Sequence, residues 1–248
     1  MAEPILEFVN VSKVFFHNTL NSDFSRRKEI LSGINLKVER GEIYGFVGLN
    51  GAGKTTCIKI ALGLSHSDSG EAKLFNAEFS EANLRRVGFS PEKPEFYEYL
   101  NAQEILDFSF RLAGIPIVPE KKQSLLETVK LWDDREKQIS CYSKGMRQRL
   151  SIACAMSSCP ELYILDEPSS GLDPLGRRAV KDILKELKKD GRTVFFSTHI
   201  LADVNEICDR IGILHNGKMI FEGKLKDFNP SNEDLEERFV KLLNEQTP

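Results

Sequence analysis

The 248-residue chain is 41% hydrophobic and 29% charged, ordinary proportions for a globular protein of one large or two small domains. Its formal net charge of -3 gives no electrostatic case for nucleic acid as a main partner. No apolar run has the length that spans a bilayer. The acidic start Met1-Ala2-Glu3-Pro4 lacks the apolar segment of a secretory leader, so a cytosolic chain is expected. Cys57, Cys141, Cys154, Cys159 and Cys208 are odd in number and contain no C-x-x-C pair. They are expected to be reduced, buried thiols rather than zinc ligands.

Residues 5–11 read as a strand, followed by the aromatic pair Phe15 and Phe16. The polar stretch 17–29, with Arg26-Arg27-Lys28, reads as a solvated surface loop. Ile34, Leu36 and Val38 alternate with polar residues, as in a half-buried strand. Glu39-Arg40-Gly41-Glu42 turns the chain into a second, wholly apolar strand over 43–47.

Gly48-Leu49-Asn50-Gly51-Ala52-Gly53-Lys54-Thr55 follows directly. Its three glycines let the backbone bend tightly and approach a ligand closely. Successive N–H groups can then line an anion cradle. Cys57, Ile60, Ala61 and Leu64 recur at helical spacing after it. A strand, a glycine loop and a helix N-terminus in that order form a phosphate-binding loop. Lys54 is expected on the β- and γ-phosphates of a nucleoside triphosphate, Thr55 on Mg²⁺, and Thr56 beside them at the helix start.

Beyond the turn at His66-Ser67-Asp68-Ser69-Gly70, short strands are expected near 72–75 and 86–90, before Pro91 and Pro94. Residues 101–158 turn helical. Asn101 with Glu104 resembles a capping box, and Ile105, Phe108 and Leu112 would form the buried face. A second helix is expected over 121–132. A third starts near Gly145, with Leu150, Ala153 and Cys154 inward. The run Leu162-Tyr163-Ile164-Leu165 suits a strand covered on both faces, and it ends in Asp166-Glu167. Acids are common at exposed strand ends. In a chain that also carries a phosphate loop, Asp166 becomes a Mg²⁺ ligand and Glu167 the residue that polarises the attacking water.

Asp173-Pro174 has the form of an N-cap followed by proline at the first helical position. Val180, Ile183, Leu184 and Leu187 would form that helix's buried face. Residues 193–197 form another buried strand, and Asn216-Gly217 a hairpin turn. Leu235, Phe239, Leu242 and Leu243 mark a C-terminal amphipathic helix.

Several of these stretches resemble the motifs of the ATP-binding cassette (ABC) ATPases, in family order over roughly residues 5–225. Tyr142-Ser143-Lys144-Gly145-Met146-Arg147-Gln148-Arg149 is similar to their signature segment. Ser169-Ser170-Gly171-Leu172-Asp173 is similar to the D-loop, and Ser197-Thr198-His199 to the segment of the switch histidine. Val87-Gly88-Phe89-Ser90-Pro91-Glu92 stands in place of the Q-loop. The resemblance implies a P-loop NTPase of α/β class with a mixed β core, a helical subdomain and a small antiparallel β part. Residues 1–228 would be the ATPase domain, with the helical subdomain at about 93–158, and 229–248 a helical extension.

By the same resemblance Phe15 or Phe16 stacks on adenine. The loop residues Gly48, Leu49, Asn50, Gly51, Ala52 and Gly53 surround the phosphates. Glu167, His199 and Lys54 carry hydrolysis. Two cassettes would close head-to-tail over two ATP, so that Ser143 and Gly145 meet a γ-phosphate in trans and Asp173 meets the partner cassette. Lys144 departs from the family's usual glycine. Glu92 replaces the Q-loop glutamine, which keeps an acceptor for Mg²⁺ or water and loses the amide donor.

The expected function is the ATP-binding and hydrolysing subunit of an ABC transporter. It would sit on the inner face of the cell membrane through a separate permease and act in export. The groove beside Glu92–Tyr99 would receive the permease's coupling helix on Pro94, Phe96, Tyr97 and Tyr99, residues that would equally suit a local core cluster. A soluble ABC ATPase working on ribosomes or DNA and a non-catalytic regulatory cassette are the rival readings.

Overall fold

The computed structural model describes residues 3–17, 26–231 and 234–245. In chain order the strands are β1 (Leu6–His17), β2 (Arg26–Val38), β3 (Ile43–Val47), β4 (Ser69–Leu74), β5 (Val87–Ser90), β6 (Leu162–Leu165), β7 (Thr193–Thr198), β8 (Arg210–His215) and β9 (Lys218–Lys224). The helices are α1 (Lys54–Ala61), α2 (Glu81–Leu84), α3 (Ala102–Leu112), α4 (Pro119–Thr128), α5 (Lys144–Met156), α6 (Pro174–Lys189), α7 (Leu201–Ile207), α8 (Leu225–Phe228) and α9 (Leu235–Glu245). The chain divides into two compact units, residues 1–80 with 199–248, and residues 81–198.

In the first unit β1 is the centre of an antiparallel sheet ordered β2-β1-β4. Leu6 pairs with Val38 on one side and Leu74 on the other. The ladder extends further than the alternation of apolar residues suggests. Arg26, Arg27 and Lys28 are strand residues that pair with His17, Phe16 and Phe15, not part of a loop. Both faces of this end are polar or mixed, so no period-2 signal marks it. The rest of the expected loop, residues 18–25, lies outside the described residues.

Elsewhere in this unit β3 runs parallel to β8, and β8 turns back antiparallel into β9 through Asn216 and Gly217. Their φ values of 46° and 75° are those of the primed hairpin turn that an Asn-Gly pair favours. The α9 face of Leu235 and Phe239 packs into one cluster with Val47, Leu201, Val204, Ile211, Ile213 and Phe228.

Glu42 sits at the start of β3 with a charge problem. Its Oε1 accepts from the Glu39 N–H at 2.8 Å and from Arg210 at 3.3 Å, while Arg210 also binds Glu222 at 2.6 Å. Burial pushes the Glu42 carboxyl up to about 7, against the pull of the Glu39 N–H and Arg210, and the charges of Glu39 and Asp209 add to the rise. The folded state therefore holds this proton at pH values where the unfolded chain has lost it. The resulting stabilisation is complete below pH 4.5 and is lost as pH rises through about 7. Glu42→Gln keeps the acceptor and removes the titration. Thermal denaturation between pH 5 and 8 is expected to show a flatter profile for this variant. At pH 8 its gain should be roughly 1–3 kcal/mol over wild type.

The second unit is built on the parallel strands β5-β6-β7, with Val87 beside Leu162 and Leu162 beside Thr193. Every residue of β6 and β7 is buried, which explains the unbroken apolar run of β6 and the apolar centre of β7, Val194, Phe195 and Phe196. The capping box of Asn101 and Glu104 closes with bonds of 3.0 and 2.9 Å. The face of α3 that follows differs from expectation. Ala102, Ile105, Leu106 and Phe110 are buried, whereas Phe108 and Leu112 are 49% and 73% exposed. This helix carries apolar residues on two sides, so the spacing alone allowed two choices of inner face. The second helix ends at Thr128, and Trp132 lies instead in a short 3-10 turn (Trp132–Asp134). All five cysteines are free, but only Cys57 is fully buried, and Cys141 and Cys159 are exposed.

Candidate functional site

The glycine loop begins where β3 ends. Gly53 has φ of 114°, and a Cβ there would stand 2.7 Å from Leu31 Cδ2 and 3.1 Å from the Ile30 carbonyl. A side chain would thus be excluded by conformation and by space at once. The tip of the β8–β9 hairpin braces the same loop. The Gly217 N–H donates to the Ala52 carbonyl at 3.1 Å, and the Ser32 N–H donates to the Gly217 carbonyl at 2.8 Å. A Cβ on Gly217 would lie 2.4 Å from the Ile30 oxygen. Sequence reasoning treated this hairpin only as a turn.

Inside the loop Lys54 is 6% exposed, and its Nζ donates to the carbonyls of Gly48 at 2.7 Å and Leu49 at 3.3 Å. The ammonium is therefore held across the concave side of the bend. Helix α1 starts at Lys54 without a side-chain cap and without an acid in its first turn. Its positive end is accordingly matched to an anion supplied from outside the helix. Leu49, Asn50, Gly51 and Thr55 are exposed, Thr56 is half-buried, and Ala52 is buried. This donor set fits a polyphosphate.

His199 is exposed and directly follows β7. Phe15 is exposed with the Lys13 ammonium 5.4 Å from its ring centre. The side chain of Phe16, the alternative stacking residue, lies outside the described residues.

The carboxylates at the end of β6 are built within the second unit. Asp166 and Glu167 are 3% and 7% exposed. The Asp166 N–H donates to the Ser90 carbonyl at 2.9 Å, continuing the β5–β6 ladder by one residue. The Ser197 hydroxyl, at the end of β7, donates to Asp166 Oδ1 at 2.5 Å and accepts from the Glu167 N–H at 2.9 Å. Glu167 has φ of 48°, which lets the backbone turn at once into the loop 167–173. The Ser170 N–H closes that turn on the Glu167 carbonyl at 3.0 Å.

Ser143 caps α5, accepting from the Met146 N–H at 3.2 Å, and remains exposed. Space above Gly145 is open: a Cβ there would find only Leu172 Cδ2 at 3.8 Å and Ser143 Oγ at 4.0 Å. The Lys144 ammonium lies against Gly171, 2.4 Å from where a Cβ would stand. Asp173 accepts from the Gly176 N–H at 2.7 Å as the N-cap of α6. Glu92, two residues beyond β5, is half-buried.

Two further residues join these segments. The buried Gln148 amide donates to Ser90 Oγ and to the Pro91 carbonyl, both at 3.3 Å. Ser90 Oγ is also 2.8 Å from Ser151 Oγ. The signature-like helix α5 is thereby bonded to the strand end that leads into Glu92. Gln148 and Ser151 on α5 lie 58 and 61 residues from Ser90 on β5, so no short-range signal marks the contact.

Residues 31–170 match the family model described as ABC transporter. The bacitracin transport ATP-binding protein BcrA of Bacillus licheniformis is 41% identical over 196 residues, covering 76% of this chain and 63% of the relative. The lantibiotic transport ATP-binding protein SrtF of Streptococcus pyogenes is 36% identical over 216 residues, covering 86% and 90%. A solved ATP-binding subunit of an ABC transporter superposes with a TM-score of 0.79 at 31% identity, covering 96% of this chain and 99% of that one. The chain spans 60–63% of the length of three curated relatives that it matches, BcrA of Bacillus licheniformis among them. With more than half its length inside the family model and its fold shared with a family member, the chain belongs to the ABC transporter family.

Proposed function

We propose that this protein is the ATP-binding and hydrolysing subunit of an ABC transporter, and that its cassettes close in pairs over two ATP to drive a separate membrane permease. The observation that carries the reading is the phosphate loop. A buried ammonium is held on loop carbonyls at the end of a helix that lacks its own acidic cap. No described helix is long and apolar enough to cross a membrane. The names of BcrA and SrtF, which specify bacitracin and lantibiotic transport, support transport as the work done.

In this reading Lys54 exchanges its carbonyl partners for phosphate oxygens, and the loop N–H groups bind the remaining charge. Thr55, Asp166 and Glu92 would hold Mg²⁺, an oxygen-only set. Among the described residues no cluster of three His, Cys, Asp or Glu suits a metal. Few protein ligands suit Mg²⁺, which completes its shell with water and phosphate. When bound, the ion neutralises charge developing on the phosphates. Glu167 orients and deprotonates the attacking water, and His199 contacts the γ-phosphate. Phe15 or Phe16 stacks on adenine. Ser143 and Gly145 serve the nucleotide of a second cassette, homologous or identical, and Asp173 touches that cassette. The protein would then lie on the inner face of the cell membrane through its permease.

Hydrolysis per subunit should fall on dilution through the dimerisation range, while ATP binding per subunit should not. Phosphate release followed over a thousandfold dilution series, beside a fluorescent-nucleotide titration, measures both. Constant turnover per subunit throughout would sink the paired-cassette reading.

A further inference from the structure

The Ser197 hydroxyl has both its hydrogen-bond directions decided by its neighbours. An N–H group can only donate, so at 2.9 Å from the Glu167 nitrogen the Ser197 oxygen must accept. Its one proton is therefore committed to Asp166 Oδ1 at 2.5 Å. Ser197 is fully buried.

This single hydroxyl constrains two different things. On Asp166 it takes one oxygen and fixes the rotation of the carboxylate, leaving the other oxygen a set direction. On Glu167 it holds a main chain that has entered the left-handed region, φ 48°, where a residue with a side chain is not stable without support. The side chain of Glu167 projects from that held backbone. Ser197 is the penultimate residue of β7, whose Phe196 pairs with Leu165. The strand ladder thus sets the height of the hydroxyl relative to both carboxylates.

We propose that Ser197 is a positioning residue for hydrolysis, aligning the metal-binding carboxylate and the water-activating one through one shared hydroxyl. This rests on the ATPase reading above. A residue needed only for strand packing would affect folding and nucleotide binding in general. The role proposed here acts on the Mg²⁺-dependent part of binding and on turnover, and leaves metal-free nucleotide affinity alone.

The test is Ser197→Ala beside Ser197→Thr, which keeps the hydroxyl on a strand position that tolerates branching. Three quantities are read: ATP affinity in EDTA, the gain in affinity on adding Mg²⁺, and turnover. For S197A, affinity in EDTA is expected to stay within about twofold, while turnover and the Mg²⁺-dependent gain each fall about 10–100-fold. S197T is expected to recover most of both. Wild-type turnover and Mg²⁺ response in S197A would overturn the proposal. So would a parallel loss of EDTA affinity, or an S197T variant as impaired as S197A with an unchanged unfolding midpoint. Glu167→Gln separates the two levels of the argument. An inactive E167Q beside a normal S197A removes only the role of Ser197, whereas an active E167Q removes the assignment of Glu167 itself.

Discussion

Glu167→Gln is expected to lower ATP turnover by about 10²–10⁴-fold and to leave ATP binding nearly unchanged. The substitution is close to isosteric. It preserves the backbone N–H that Ser197 accepts and makes no new demand on φ at this position. What it removes is the basicity of a carboxylate that is 7% exposed and directly follows Asp166. Water activation uses that basicity in the transition state, whereas nucleotide binding does not, so kcat should fall without a matching change in affinity. Steady-state phosphate release and an equilibrium nucleotide titration read the two separately. Turnover within about threefold of wild type would assign water activation to another group.

Lys54→Ala should fail one step earlier, at binding. The Lys54 ammonium lies inside the loop, on the Gly48 and Leu49 carbonyls, before any nucleotide arrives. Its position is pre-organised, and a phosphate gains a charged donor whose ordering cost is already met by the fold. Hydrogen bonds to a charged group contribute about 1.5–3 kcal/mol each, so removing the ammonium should weaken ATP binding by roughly 10–150-fold. The truncation also leaves two loop carbonyls short of a donor. A modest drop in unfolding temperature is expected with it. A titration with fluorescent nucleotide, run beside thermal denaturation, separates lost affinity from lost structure. ATP affinity equal to wild type in a folded K54A protein would remove Lys54 from the phosphate site.

These two residues were legible for different reasons. Lys54 belongs to a motif whose members are adjacent in the chain, so glycine spacing and the Lys-Thr pair carry their meaning locally. Asp173 was equally local as a helix cap and makes the expected bond to the third residue beyond it, whereas Ser143, marked only by the signature resemblance, makes the same kind of bond at the start of α5. Asp166 and Glu167 depended on a longer inference from an apolar strand that ends in two acids. The inner face of α3 was misjudged because Phe108 and Leu112 are apolar and outward-facing. The β1–β2 ladder was cut short because its far end is polar.

By itself, the order and local chemistry of the residues determined the phosphate loop, the paired carboxylates, the capped helices and the family. Each is encoded within a few neighbours by conformational preference and charge. Only the tertiary structure decided what holds those parts in place. Gly217 braces the loop at Ala52, Gln148 ties α5 to Ser90, and Ser197 spans Asp166 and Glu167 from 30 residues further along the chain. Serine, glutamine and glycine are common in every context. Their roles arise only when the tertiary fold brings a hydroxyl, an amide or a bare backbone within hydrogen-bonding distance of groups far away in the chain.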